Sequence, residues 1–188
     1  MRFVNGLLLA AMLSTLQGCF PIIAAGLGAG ALMGADRRTA GAMLEDERIE
    51  DRATLQINAQ YHETVHVNVT SYNRLVLITG EVANEEDKAG VEKIVAAVPN
   101  IKFINNELEI GPVNGLGSRS NDSLITSNIK LRFINNKIFQ PDHVKVITEN
   151  GSVYLMGLLH HKEAEAAAEI ASNSKAVRRV VTVFEYLD

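Results

Sequence analysis

The 188-residue chain has a single cysteine, Cys19, no tryptophan, four prolines and an aromatic content of 5%. One thiol closes no disulfide within the chain and builds no cysteine-rich zinc site. Basic charge is not in surplus either: 18 Lys and Arg stand against 22 Asp and Glu, a net of −4, so no general field holds a nucleic-acid backbone. Nucleic acid is excluded as an expected partner. The apolar run near the N-terminus, Leu7 to Leu13, falls well short of the about 20 residues a spanning helix needs. What is present is ordinary for a packed protein, 47% hydrophobic and 21% charged, with length for one medium domain or two small ones.

Residues 1–18 read as an export signal: Arg2, then the short apolar run, then small and polar residues. The tetrapeptide Leu16-Gln17-Gly18-Cys19 resembles a bacterial lipobox. That resemblance implies cleavage before Cys19 and a covalent diacylglycerol on its sulfur, the only cofactor-like group expected. Its position separates Cys19 from a buried core thiol, and two or three acyl chains hold where one does not. Phe20 rather than Asp after the cysteine points, by resemblance to sorting rules, to the outer membrane of a Gram-negative cell. Residues 19–48 read as a lipidated tether. Within it, Gly26-Leu27-Gly28-Ala29-Gly30-Ala31 fits a dinucleotide fingerprint only formally, because no βαβ unit surrounds it.

The rest is one unit written twice. A shift of 77 places Val67, Val69, Val76, Ile78 and Gly80 on Val144, Val146, Val153, Leu155 and Gly157; after a one-residue gap, a shift of 76 places Ile94, Ile101, Ile104 and Leu108 on Ile170, Val177, Val180 and Phe184. Each copy opens with an amphipathic helix, at about 49–60 and 122–133. Alternation at period two then predicts a hairpin, with turns at Ser71 to Arg74 and at Glu149-Asn150-Gly151. A helix follows, at 84–98 and 161–174, and a last strand closes the unit, at 101–110 and 177–187. The expected fold class is α+β, an α/β sandwich: two tandem αββαβ domains, each a three-stranded mixed sheet against two helices. The right-handed crossover rule makes strands two and three parallel. The boundaries are domain one at 49–111, a linker at 112–120 and domain two at 121–188.

The twin repeats, the hairpin glycines Gly80 and Gly157, the lipobox and runs such as Thr148-Glu149-Asn150-Gly151 and Leu155-Met156-Gly157-Leu158 resemble the BON-domain envelope lipoproteins. The resemblance spans nearly the whole chain. It implies a non-enzymatic protein of the outer membrane, lipid-anchored and facing the periplasm, that binds anionic phospholipid and supports envelope integrity.

Charge separates the copies. Residues 49–110 hold five basic and ten acidic residues, whereas residues 121–188 hold eight of each, so an anionic surface repels the first copy and tolerates the second. The opening helix of copy two also has two apolar faces. Ile125, Ile129 and Phe133 should meet the sheet; Leu124, Leu131, Ile134 and Ile138 form an opposite stripe, flanked by Lys130 and Lys137. Ser120, Asn121 or Asp122 are expected to cap this helix and leave its first N–H groups for a phosphate. The candidate phospholipid-binding set is Ser120, Asn121, Asp122, Leu124, Ser127, Lys130, Leu131 and Ile134. Members of the family carry an aromatic near position 124, and Leu124 stands there instead, which lowers the expected affinity. The stripe has other potential occupants: copy one, a second molecule, or outer-membrane protein-assembly machinery.

No catalytic order of Ser, His and Asp, phosphate-binding loop or zinc-protease motif appears. The five histidines, His62, His66, His143, His160 and His161, show no metal-ligand spacing and are read as surface residues, with no metal site expected. Adjacent His160 and His161 invite a pH role near 6 to 6.5. Glu85-Glu86-Asp87 opens a helix, where negative charge favours the dipole.

Overall fold

The computed structural model describes residues 36–62, 64–112 and 116–188, with the side chains of the last segment from Arg119 onward. The expected signal peptide, Cys19, the tether before Asp36 and the centre of the linker lie outside the described residues. Copy one runs α1 (Ala40–Tyr61), β1 (His66–Tyr72), β2 (Leu75–Val82), α2 (Glu85–Ala96), β3 (Phe103–Asn106) and β4 (Glu109–Ile110). Copy two runs α3 (Leu116–Ile134), a 3₁₀ turn at Pro141–His143, β5 (Val144–Glu149), β6 (Ser152–Leu159), α4 (His161–Ser172) and β7 (Arg179–Tyr186). The αββαβ order is therefore present twice. β1 and β5 pair antiparallel to β2 and β6, and the closing strands pair parallel to them. The closing strand of copy one is interrupted, because Asn106 turns its side chain back to accept from Leu108 N at 3.2 Å.

Both opening helices are longer than the sequence pattern suggests. α1 starts at Ala40, where the Thr39 hydroxyl accepts from Ala42 N at 3.1 Å, although its first turns are too polar to show a hydrophobic period. α3 starts at Leu116, inside the stretch read as linker. Ser120, Asn121 and Asp122 thus lie within the helix and are not its cap. Their own N–H groups belong to the intrahelical ladder, so the phosphate-binding role based on a helix start is corrected.

One face of each sheet buries against its own helices. Val76, Ile78 and Val82 meet Ile49, Ala53 and Ile57 of α1 in copy one; Val153, Leu155 and Leu159 meet Ile125, Ile129 and Phe133 of α3 in copy two. The other faces meet each other. Tyr72 and Leu77 pack with Tyr154, Met156, Leu158 and Val183, giving layers in the order helices, sheet, sheet, helices. β6 is consequently buried along all eight residues, which is why it reads as the near-continuous apolar run SVYLMGLL. Burial of the Tyr72 hydroxyl in this seam pushes its pKa up to about 12.

Polar contacts rim the seam: Lys145 to Glu50 at 3.1 Å, Arg179 to Glu107 at 3.0 Å, and Asn73 Nδ2 donating to Glu185 at 2.7 Å. Arg37, just before α1, reaches the second copy, donating to Leu158 O at 2.9 Å and to both Glu163 oxygens at 2.6 and 2.8 Å.

Each hairpin turn is held by an aspartate from the opening helix. Asn73 and Arg74 both have positive φ, as do Asn150 and Gly151, the conformation of a tight primed turn. Asp46 accepts from Ser71 Oγ at 2.7 Å, Asn73 N at 2.8 Å and Arg74 N at 2.7 Å. Asp122 accepts from Asn150 N at 2.9 Å and Gly151 N at 2.8 Å. The clamp offsets the cost of a left-handed Arg74, a residue that lacks the freedom of the glycine in copy two.

Candidate functional site

Helix α3 presents two faces. Ile125, Ile129 and Phe133 are 3%, 0% and 0% exposed, as their spacing predicts. On the far side Leu124, Leu131, Ile134 and Ile138 are 70%, 60%, 63% and 59% exposed. Copy one does not cover them, because it uses the back of the sheet, not α3, to meet copy two. Ser120 and Ser127 fall on the same ridge at helical spacing and are exposed, and Lys130 and Lys137 stand exposed beside it. The Ser127 hydroxyl donates back to Ser123 O at 2.8 Å, which leaves its oxygen lone pairs outward.

The ridge continues past the helix end because Asn136 fixes the chain there. Its Oδ1 accepts from Ile138 N at 2.7 Å and Phe139 N at 3.0 Å, while its amide donates to Phe133 O and to Phe139 O. Phe139 is thereby turned inward against Phe133, edge to face with centroids 5.0 Å apart, and Ile138 is turned outward. Copy one ends its helix differently, at His62 with φ 52. Ile138 stands on the stripe that its spacing predicts, and Asn136 is what holds it there.

Other expected residues sort differently. Asp122 is 6% exposed and its carboxylate is spent on the hairpin turn, so it is a turn clamp and not a headgroup contact. Asn121 is exposed at the side of the ridge. The surface reading holds for His62, His160 and His161 and fails for two others: His143 is 8% exposed, and His66 is half-buried. His143 is drawn in by the 3₁₀ turn that starts β5. His160 Nδ1 and His161 Nδ1 lie 3.4 and 2.9 Å from the Asp188 carboxylate, and the hydrogen bond from His161 holds that carboxyl below its ordinary range.

A groove beside α3 lies where the copies meet, lined by His66 and Asn68 of β1, Arg119 and Ser123 of α3, and Thr148 and Glu149 of β5. Burial pushes the Glu149 carboxyl above its ordinary value, against the pull of His66 and of the Asn68 amide, which donates to it at 2.9 Å. Among the described residues no helix is long and apolar enough to cross a membrane.

Comparison with known proteins adds the following. The family model described as BON domain matches residues 45–112 and again residues 121–188. The chain is 35% identical over 176 residues to "Outer membrane lipoprotein DolP" of Haemophilus influenzae, covering 92% of this chain and 91% of that one. It is 36% identical over 154 residues to "21 kDa hemolysin" of Actinobacillus pleuropneumoniae, covering 81% and 79%. A solved structure of CdsD, a structural protein of the type III secretion system of Chlamydia trachomatis, aligns at a TM-score of 0.31 and 15% identity over 77% of this chain and 92% of that one.

Proposed function

Because this chain belongs to the BON domain family and carries the domain twice, we propose that it is an outer-membrane lipoprotein, anchored through Cys19, that lays the outer ridge of α3 on anionic phospholipid at the periplasmic face and so supports envelope integrity. The anchor and compartment are supported by the likeness to a protein named as an outer membrane lipoprotein over nine-tenths of both chains. The observation that carries the lipid contact is the ridge itself, four exposed aliphatic side chains with two lysines beside them on a copy of zero net charge. A large apolar strip rimmed by cations is the pattern of a helix lying in a headgroup layer.

Magnitudes set the division of labour. Full burial of a Leu or Ile side chain is worth roughly 1.5–3 kcal/mol, and each lysine near an anionic surface adds about 1 kcal/mol. Partial insertion of a few such groups orients a molecule; it does not hold one permanently. The acyl chains on Cys19 hold, and α3 decides which surface of the molecule faces the lipid. Residues Ser120, Asn121 and Ser127 supply hydroxyl and amide groups for headgroup oxygens, and no catalytic step is assigned.

The test is vesicle flotation with residues 36–188, so that no acyl chain contributes. The expected result is binding to vesicles containing anionic lipid, little to purely zwitterionic ones, and loss of binding in Leu124→Asp and Leu131→Asp with the fold intact. Unchanged binding by both variants refutes the site. A protein-assembly complex as the occupant of the ridge predicts instead crosslinks to protein in membranes and no flotation by the isolated unit.

A further inference from the structure

Two carboxylates converge on one imidazole in the seam between the copies. His66 and Glu81 are directly cross-strand partners on β1 and β2, and His66 Nδ1 lies 2.9 Å from Glu81 Oε2. Glu149, at the end of β5 in the other copy, brings its Oε1 to 3.9 Å from the same nitrogen. One ligand atom from each residue lies within 4.8 Å of the others. We propose that His66, Glu81 and Glu149 bind a divalent cation of the zinc class, which joins the two copies across their shared seam.

The donor set fits that chemistry. Zinc takes imidazole nitrogen and carboxylate oxygen at about 2.0–2.2 Å, in a site of four ligands where water completes three protein groups. Tetrahedral ligands at that radius stand about 3.3–3.6 Å apart; the two separations from His66 Nδ1, 2.9 and 3.9 Å, bracket this, and with all three ligand atoms inside 4.8 Å side-chain rotations bring the two carboxylates to the same spacing. The charge fits as well. Two carboxylates are brought together there, with the Glu81 side chain only 4% exposed and that of Glu149 13% exposed. The Glu81 charge works against that of Glu149 at this distance, and a dication held between them relieves the repulsion.

Outer contacts and access are present too. Asn68 donates to Glu149 Oε2 at 2.9 Å, fixing one ligand from behind and leaving Oε1 turned to the site, as second-shell partners of metal ligands do. The open groove lined by Asn68, Arg119, Ser123 and Thr148 gives an ion its path. Histidine spacing along the chain hides the set, because it is assembled by strand register and by contact between copies.

The experiment is calorimetric titration of the whole chain in detergent with Zn²⁺, and with Co²⁺ as a visible probe. The expected result is one ion per chain, a cobalt spectrum of low coordination number, and a rise in the unfolding midpoint with Zn²⁺. His66→Asn and Glu149→Gln should each weaken binding at least tenfold and abolish the midpoint shift. Glu149→Gln keeps the acceptor for Asn68 and relieves like-charge crowding, so its folding without metal should equal or exceed that of the parent. A double variant of His160→Asn and His161→Asn, away from the seam, should bind unchanged. Absence of a one-to-one site, binding that survives the seam variants, or loss of binding in the distal double variant overturns the proposal.

Discussion

Helices α1 and α3 occupy equivalent places in the two copies, and their inner faces are interchangeable in kind: Ile49, Ala53 and Ile57 in one, Ile125, Ile129 and Phe133 in the other. Their outer faces are not. Where α3 has Leu124, Ser127, Lys130 and Ile134, α1 has Arg48, Asp51, Thr54 and Asn58, and only Leu55 keeps a counterpart in Leu131. The remaining exposed leucine of α1, Leu44, stands three turns from Leu55 with charged residues between. A duplicated fold thus keeps the positions that make its core and frees the others, so function is read from where the copies differ.

The largest expected effect probes what the copies share. Asp46→Ala leaves two turn amides and the Ser71 hydroxyl without their acceptor and takes one of two carboxylates from Arg38, which keeps Asp36 at 2.8 Å; a cost of about 3–5 kcal/mol in urea unfolding is expected from the three orphaned donors. Asp122→Ala loses two amide bonds at a glycine-containing turn and should cost about 1–3 kcal/mol. Equal costs would show that the left-handed Arg74 does not depend on the clamp. Next comes the outer face. Leu55→Asp, in the copy that carries net −5, should leave vesicle binding and stability within about 0.5 kcal/mol of the parent, in contrast to Leu131→Asp at the equivalent place.

A smaller effect is electrostatic. Lys130→Ala and Lys137→Ala should each reduce affinity for anionic vesicles about fivefold, the equivalent of about 1 kcal/mol, and flatten its dependence on salt. The smallest concerns the strap that ties the start of copy one to copy two. The hydrogen bond from Arg37 holds the Glu163 carboxyl below its ordinary value. A carboxyl lowered on folding adds stability above its unfolded pKa and loses it as pH falls through the lowered folded one. Arg37→Ala should therefore reduce stability by under about 1 kcal/mol at neutral pH, with the difference from the parent vanishing in acid.

Much of this was legible before any coordinates. The repeat, the αββαβ order and both faces of α3 followed from periods of 2 and 3.6, because each element buries one side against its own domain. The stacking of the two sheets was not anticipated, although β6 carries its trace in a near-continuous apolar run that suits burial on both faces. The helix starts were hidden by polar first turns. The buried placement of His143 and the clamp role of Asp122 depend on how copy two folds back on itself, and the meeting of His66 with Glu149 on contact across the seam; no local spacing encodes any of them.

Copy two, through the outer side of α3, is proposed to be the part that faces lipid. Titrating isotopically labelled residues 36–188 with anionic micelles, and following every backbone amide by NMR, tests it most directly. The expected shifts are confined to α3 and the turn after it, strongest around Leu124, Ser127, Lys130, Leu131 and Ile138, with Arg48, Asp51 and Leu55 unmoved. Shifts centred on α1, or none on α3 while the micelles bind, would contradict it.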